Sequence, residues 1–155
     1  MKDFNLLRSE FSTYLSKKHS EVLPFESAQL IEKKCQNQNC SLFGFGSHSK
    51  KRPHNLILGR TYDKQVLDMA ELTIKDYSPL HSFKGSETPK DMKPVLIFQG
   101  SVWETSAHLR TLKSIFHDFF RFSSAESVSI KAIRRMLVFG ATDETVIWMK
   151  HYEVP

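Results

Sequence analysis

The stretch from Thr105 to Phe122 constrains the fold most. Projected at about 100° per residue, Leu109, Leu112, Ile115, Phe116, Phe119 and Phe120 fall on one broad face. A face that wide needs an apolar surface to cover. Lys93–Gly100, with its run Pro94–Phe98, is strand-like, and its Pro94 sits at the first position, where a missing N–H is tolerated. Met136–Ala141 reads as a second strand, Thr142–Thr145 as a turn and Val146–Tyr152 as the returning strand of a hairpin. Alternation puts Val146, Trp148, Lys150 and Tyr152 on one face of that last strand and Ile147, Met149 and His151 on the other. Strand, helix, strand and strand in this order predict an α/β fold with a mixed sheet and packed helices.

The first half is less regular. Phe4, Leu7, Phe11 and Tyr14/Leu15 recur at helical steps and predict a helix over 3–19, broken before Pro24. A short helix is expected over Ser27–Lys34, burying Leu30 and Ile31, with Cys35–Asn39 as loop. Ser41–Phe45 and Leu56–Leu58 are short strands flanking a loop over 46–55. Asp63 is positioned to cap a helix from Lys64 to Ile74, with Val66, Met69, Ala70 and Ile74 facing inward. Lys75–Met92 and Ser123–Ser129 read as loops, and Ile130–Arg135 as a short helical turn.

A chain of 155 residues supports one hydrophobic core, and its 12 phenylalanines argue for a folded one. The opening MKDFNLLRSEF is charged and has no apolar h-region, so no secretory leader is expected there. The longest apolar runs, Val95–Phe98 and Met136–Phe139, are strand-sized rather than membrane-spanning. Two cysteines do not make a disulfide scaffold, and reduced thiols are expected.

The net charge of +5 is local. From His48 to Arg60 the chain carries Lys50, Lys51, Arg52 and Arg60 and no acidic residue, while the flanking stretches nearly balance. A concentrated cationic loop beside a strand suits a phosphate backbone, with His48, His54 and Asn55 adding hydrogen-bonding groups. A solvated or protein-contacting loop is the alternative. Arg110, Lys113, His117 and Arg121 form a second basic stripe on the Thr105–Phe122 helix, opposite its apolar face. Such stripes are common on amphipathic helices. Most of the phenylalanines fit a core better than a base-stacking platform.

Other chemistry finds little support. Cys35, Cys40, His48 and His54 have loose spacing for zinc. Ser47, His48 and Asp63 lack the G-x-S-x-G elbow of a hydrolase, and no Gly-rich phosphate loop is present. Neither enzymatic activity nor a metal or cofactor is expected.

Several segments, taken in order, resemble the Brix-domain family: Pro24–Phe25–Glu26, Cys40–Asp63, Val66–Leu72, Lys93–Gly100, Leu112–Arg121 and the hairpin Arg134–Val154. The resemblance covers about residues 24–154. It implies residues 1–23 as an N-terminal helix and linker, followed by a single Brix-like domain over 24–155 with pseudo-symmetric halves near 24–92 and 93–155. Such a domain is similar to the anticodon-binding domain of some tRNA synthetases. It further implies a non-enzymatic ribosome assembly factor of the nucleus and nucleolus, working on the large-subunit pre-rRNA. The partners implied are the regulator of ribosome synthesis, as heterodimer, and 5S rRNA with its two ribosomal proteins; no membrane is involved. His48, Lys50, Lys51, Arg52, His54, Asn55 and Arg60 would face RNA, joined by Arg110, Lys113 and Arg121. A protein-only scaffold in the same particle is the alternative. The family pattern also has a basic N-terminal extension, and a C-terminal E-I-G-P-R strand with a basic tail. Neither is expected here, and three explanations stand: a natively reduced short form, C-terminally reduced, with its sheet edge open; a truncated gene; or an edge filled by a partner strand.

Overall fold

The computed structural model describes residues 1–8, 12–16, 22–83, 94–120 and 133–154. In chain order its elements are α1 (Lys2–Arg8), α2 (Gln29–Asn37), β1 (Leu42–Ser47), β2 (Asn55–Tyr62) and β3 (Gln65–Thr73). A 3-10 turn at Leu80–Ser82 is followed by β4 (Val95–Gln99), α3 (Val102–Thr105), α4 (Ala107–Phe120), β5 (Arg135–Ala141) and β6 (Ile147–Glu153). They form two compact units, one on β1–β3 and one on β4–β6. The fold is α/β, but its strands make two three-stranded sheets, of which only the second is mixed.

In the first unit, β1, β2 and β3 are antiparallel in that order. Residues opposite each other in such a ladder share a face. Phe43, Phe45 and Ile57 therefore look the same way, and they pack with Ile31 and Cys35 of α2. Leu56 and Leu58 point to the other face and are also buried. Phe43 lies across Gly59, its register partner: a Cβ at 59 would sit 2.4 Å from Phe43 Cζ and 2.8 Å from the Asp68 carbonyl oxygen.

The helix expected over Lys64–Ile74 is a strand, β3. Asp63 and Lys64 both have positive φ, 45° and 68°, and form a two-residue hairpin turn rather than a helix cap. The reason is tertiary. β2 is buried on both faces, so the N–H and C=O groups along both its edges need partners in the sheet. β1 serves one edge and β3 the other. The helix-like spacing of Val66 and Met69 has a separate cause. Arg60 pairs with Asp68 and Thr61 with Val66, which leaves Leu67 as a bulge. The extra residue returns Val66 and Met69 to one face, where both pack on the core around Ile31 and Phe43.

Other boundaries moved as well. α1 ends at Arg8, and residues 12–16 are not helical, against the expected helix over 3–19. The Ser12 hydroxyl donates to Asn5 Oδ1 at 2.9 Å, folding the chain back beside the helix. α2 extends to Asn37, into the expected Cys35–Asn39 loop, because Ile31 and Cys35 share its buried face; Leu30 is exposed. Asn39, at φ 50°, ends it with Cys40 N–H donating to the Cys35 carbonyl. The helical turn expected over Ile130–Arg135 is absent where described, since Arg135 starts β5; residues 130–132 lie outside the described residues.

In the second unit β4 runs parallel to β5, and β6 antiparallel to it. The strand–helix–strand order read from sequence is present, and all six expected apolar residues of α4 are buried. Phe139 stacks on Phe116 at 4.4 Å and on Phe98 at 5.1 Å, joining α4 to the sheet. The buried Trp103 donates its indole N–H to the Gln99 carbonyl at 3.1 Å. Gly100 has φ 114° and a Cβ there would lie 2.0 Å from the Ala141 oxygen, so the turn after β4 requires glycine. Asp143 Oδ1 accepts from Thr145 N–H and Val146 N–H, shaping the turn between β5 and β6.

Replacing Gly59 with Ala should cost about 1–3 kcal/mol through overpacking against Phe43 and β3. A urea midpoint unchanged from wild type would contradict this packing. A second expectation concerns His151, whose pKa is lowered by burial and then by Arg135, with Glu153 opposing. The unfolded chain then binds the proton first as pH falls through about 6.5, so stability declines below roughly pH 7. His151→Gln should flatten that decline in denaturant titrations between neutral and mildly acidic pH; an equal decline in both proteins would refute it.

Candidate nucleic-acid interface

The loop between β1 and β2 is built from its own side chains. Ser49 Oγ accepts from Arg52 N–H at 3.0 Å, and Ser49 N–H donates to the Arg52 carbonyl at 3.1 Å. His54 takes positive φ, 48°, and its N–H donates to His48 Nδ1 at 3.2 Å, so the neutral His48 ring carries its proton on Nε2. The two imidazoles lie 4.8 Å apart. This closes the base of the loop and leaves Lys50 and Lys51 exposed at its tip, with no ion pair among the described residues.

The arginines differ. Arg52 Nη1 pairs with Glu71 Oε1 at 2.8 Å, and the same oxygen accepts from the buried Asn55 side chain at 2.8 Å. Arg60 forks onto Asp68, its register partner, with Nε to Oδ1 at 2.8 Å and Nη2 to Oδ2. Both carboxylates come from β3. Sequence reading missed them because it placed 64–74 on a helix, which cannot set Asp68 and Glu71 beside β2. A strand pairing of β2 with the segment after Asp63–Lys64 is the signal that would have found them.

The second basic stripe is also partly occupied. Lys113 Nζ bonds Glu104 Oε1 and sits 5.3 Å from the Phe98 ring centre, while His117 packs on the same ring at 5.1 Å. The Lys113 hydrogen bond is also what lowers the Glu104 pKa most. Arg110 is exposed, and Arg121 lies outside the described residues. The loop and the stripe belong to different units.

Cys35 is buried, with its thiol pushed up to about 12 by burial and by Cys40, whereas Cys40 is exposed. No group of three or more His, Cys, Asp or Glu among the described residues could hold a metal ion. No described helix is long and apolar enough to cross a membrane.

The sequence carrying this geometry matches a known family along its whole length: the Brix domain model covers residues 1–155. The chain belongs to the Brix domain family. Among curated proteins, this Brix chain is 36% identical over 154 residues to "Ribosome production factor 2 homolog" of Drosophila melanogaster, covering 99% of the chain and 48% of that protein. It is 37% identical over 151 residues to the Homo sapiens protein of the same name, covering 97% and 49%. The Schizosaccharomyces pombe protein of that name is 34% identical over 141 residues, covering 91% and 44%. The chain thus spans about half the length of the curated relatives it matches.

Within this Brix chain, Glu71 has unequal partners. Arg52's side chain is 61% exposed, so its pair is worth less than about 0.5 kcal/mol after solvent screening. Asn55 is buried, and losing its acceptor should cost about 1–3 kcal/mol. Glu71→Ala should therefore destabilise clearly more than Arg52→Ala in denaturant unfolding. Equal losses would show that the ion pair, not the amide, carries the contact.

Proposed function

We propose that this chain is a non-enzymatic assembly factor of the large ribosomal subunit precursor, helping to recruit or hold the 5S ribonucleoprotein through rRNA and partner-protein contacts. Family membership and relatives named for ribosome production support the assembly role. Brix proteins are not catalysts. The observation that carries the RNA part is the hairpin tip, where Lys50 and Lys51 stand exposed, with no ion pair among the described residues, on an internally hydrogen-bonded loop. Two such ammonium groups suit phosphates as point charges.

The remaining features of this reading follow the family resemblance. The partners are the regulator of ribosome synthesis, as heterodimer, together with 5S rRNA, its two ribosomal proteins and pre-rRNA, in the nucleolus. The repeated order helix–strand–strand, α2–β1–β2 and α4–β5–β6, supports the pseudo-symmetric halves; the likeness to an anticodon-binding domain follows the family resemblance alone. His48, His54 and Asn55 shape the loop, and Arg110 is the exposed candidate on the helix.

A protein-only scaffold is the second reading, favoured by one observation: Arg52 and Arg60 are already held by Glu71 and Asp68. Salt dependence separates the two. Each phosphate contact contributes about 0.9 to the slope of log K against log salt on duplex RNA-like substrates. Lys50→Glu with Lys51→Glu should flatten that slope by about 2 and weaken rRNA binding by roughly tenfold, with partner assembly intact. RNA affinity unchanged in the double variant across the salt series would favour the scaffold.

A further inference from the structure

β6 presents two different faces. Ile147, Met149, His151 and Glu153 share the side of Phe139 and Leu137, which is the side packed on α4. Trp148, Lys150 and Tyr152 point the other way, opposite Gly140, Val138 and Met136. Trp148 is seated across the sheet: a Cβ at Gly140 would lie 2.1 Å from its Cε2 and Cζ2. Phe43 over Gly59 in the first unit is the same construction, but Phe43 is only 9% exposed and belongs to the core. Trp148 remains 38% exposed and Tyr152 44%, although each is a large aromatic in a strand with a buried face available.

Among the described residues of β5 and β6, the charge on this face has one sign. Lys150 Nζ stands 5.2 Å from the indole centre. Arg134 is exposed and continues the ladder, its carbonyl accepting from Val154 N–H at 2.8 Å, so alternation puts it on the Met136 side beside Tyr152. Of the nearby carboxylates, Glu153 lies on the opposite face with Arg135, Asp143 is engaged by the turn at Thr145 and Val146, and Glu144 stands exposed in that turn, off the strand. Trp148 and Tyr152 are four residues apart on a strand, about 13 Å, with Lys150 midway.

We propose that Trp148, Lys150 and Tyr152, with Arg134 beside them, form a stacking platform for single-stranded RNA. Two unpaired, non-adjacent bases would stack on the indole and phenol, and Lys150 would leave the indole for a phosphate between them. Flat aromatic seats select planar groups, and a row of cations along the strand selects an anionic strand. Duplex RNA offers no unstacked base faces, so the platform distinguishes single strands. This deepens the rRNA-contact reading above and rests on it.

The test is anisotropy of a labelled oligouridylate and of a labelled RNA duplex, with intrinsic indole fluorescence read in parallel. The single strand should quench indole emission. Trp148→Leu and Tyr152→Leu should each weaken single-strand binding by roughly tenfold and leave the duplex unaffected. Trp148→Phe, which keeps a ring, should retain most of the affinity, and Lys150→Ala should flatten the salt slope by about 0.7. Unchanged single-strand affinity in both leucine variants overturns the platform. So does an equal loss on the duplex, which would mark a folding defect. If Lys50→Glu with Lys51→Glu still weakens both RNAs in that case, the rRNA-contact reading survives alone. Wild-type protein that binds neither RNA defeats that reading itself, and capture of an acidic peptide by this face without RNA binding assigns it to a protein partner and overturns the platform.

Discussion

The first unit depends on β2 being buried on both faces. Leu56 and Leu58 fill one side, Ile57 and Gly59 the other, and none is more than 9% exposed where a hydrophobic side chain is present. A strand so enclosed has no water for its backbone, so both edges must be paired. β1 and β3 are the consequence. The pairing with β3 then settles electrostatics that have nothing to do with burial. It sets Asp68 opposite Arg60, and it delivers Glu71 to Asn55 and Arg52. A backbone requirement thus decides which cations of the hairpin are neutralised and which remain.

That dependence explains what was legible in the sequence. The α4 face was readable because six apolar residues repeat at the period of one isolated element. The β5–β6 hairpin was readable because its alternation and turn are local. β3 was not, because the bulge at Leu67 places Val66 and Met69 on one face of a strand with the spacing of a helix. The location of the basic loop was plain from charge alone. Its state of neutralisation was hidden, since Arg52 and Glu71 are separated by 19 residues and meet only across the sheet. One wrong period therefore propagated into an overcount of free positive charge.

Both units seat an aromatic ring on a cross-strand glycine, with different results. Phe43 over Gly59 closes a core against α2, and the ring is lost to solvent. Trp148 over Gly140 occupies the face turned from α4, and the ring stays accessible. The glycine in each case supplies room that any side chain would take. Orientation relative to the covering helix, rather than the pair itself, determines whether the ring is buried or stays accessible.

The chemistry of the cations left over matters as much as their number. Arginine's planar fork matches a carboxylate, and the guanidinium of Arg60 is committed to one in that way. The exposed groups at the hairpin tip are lysines, compact point charges on flexible stems, which neutralise phosphate without reading base edges. Contact through Lys50 and Lys51 would therefore add affinity that salt removes and sequence does not alter. Selectivity for a particular RNA must come from elements that sense its shape or its unpaired bases. On the proposed reading, the charged tip would supply the affinity and the aromatic strand face the selectivity.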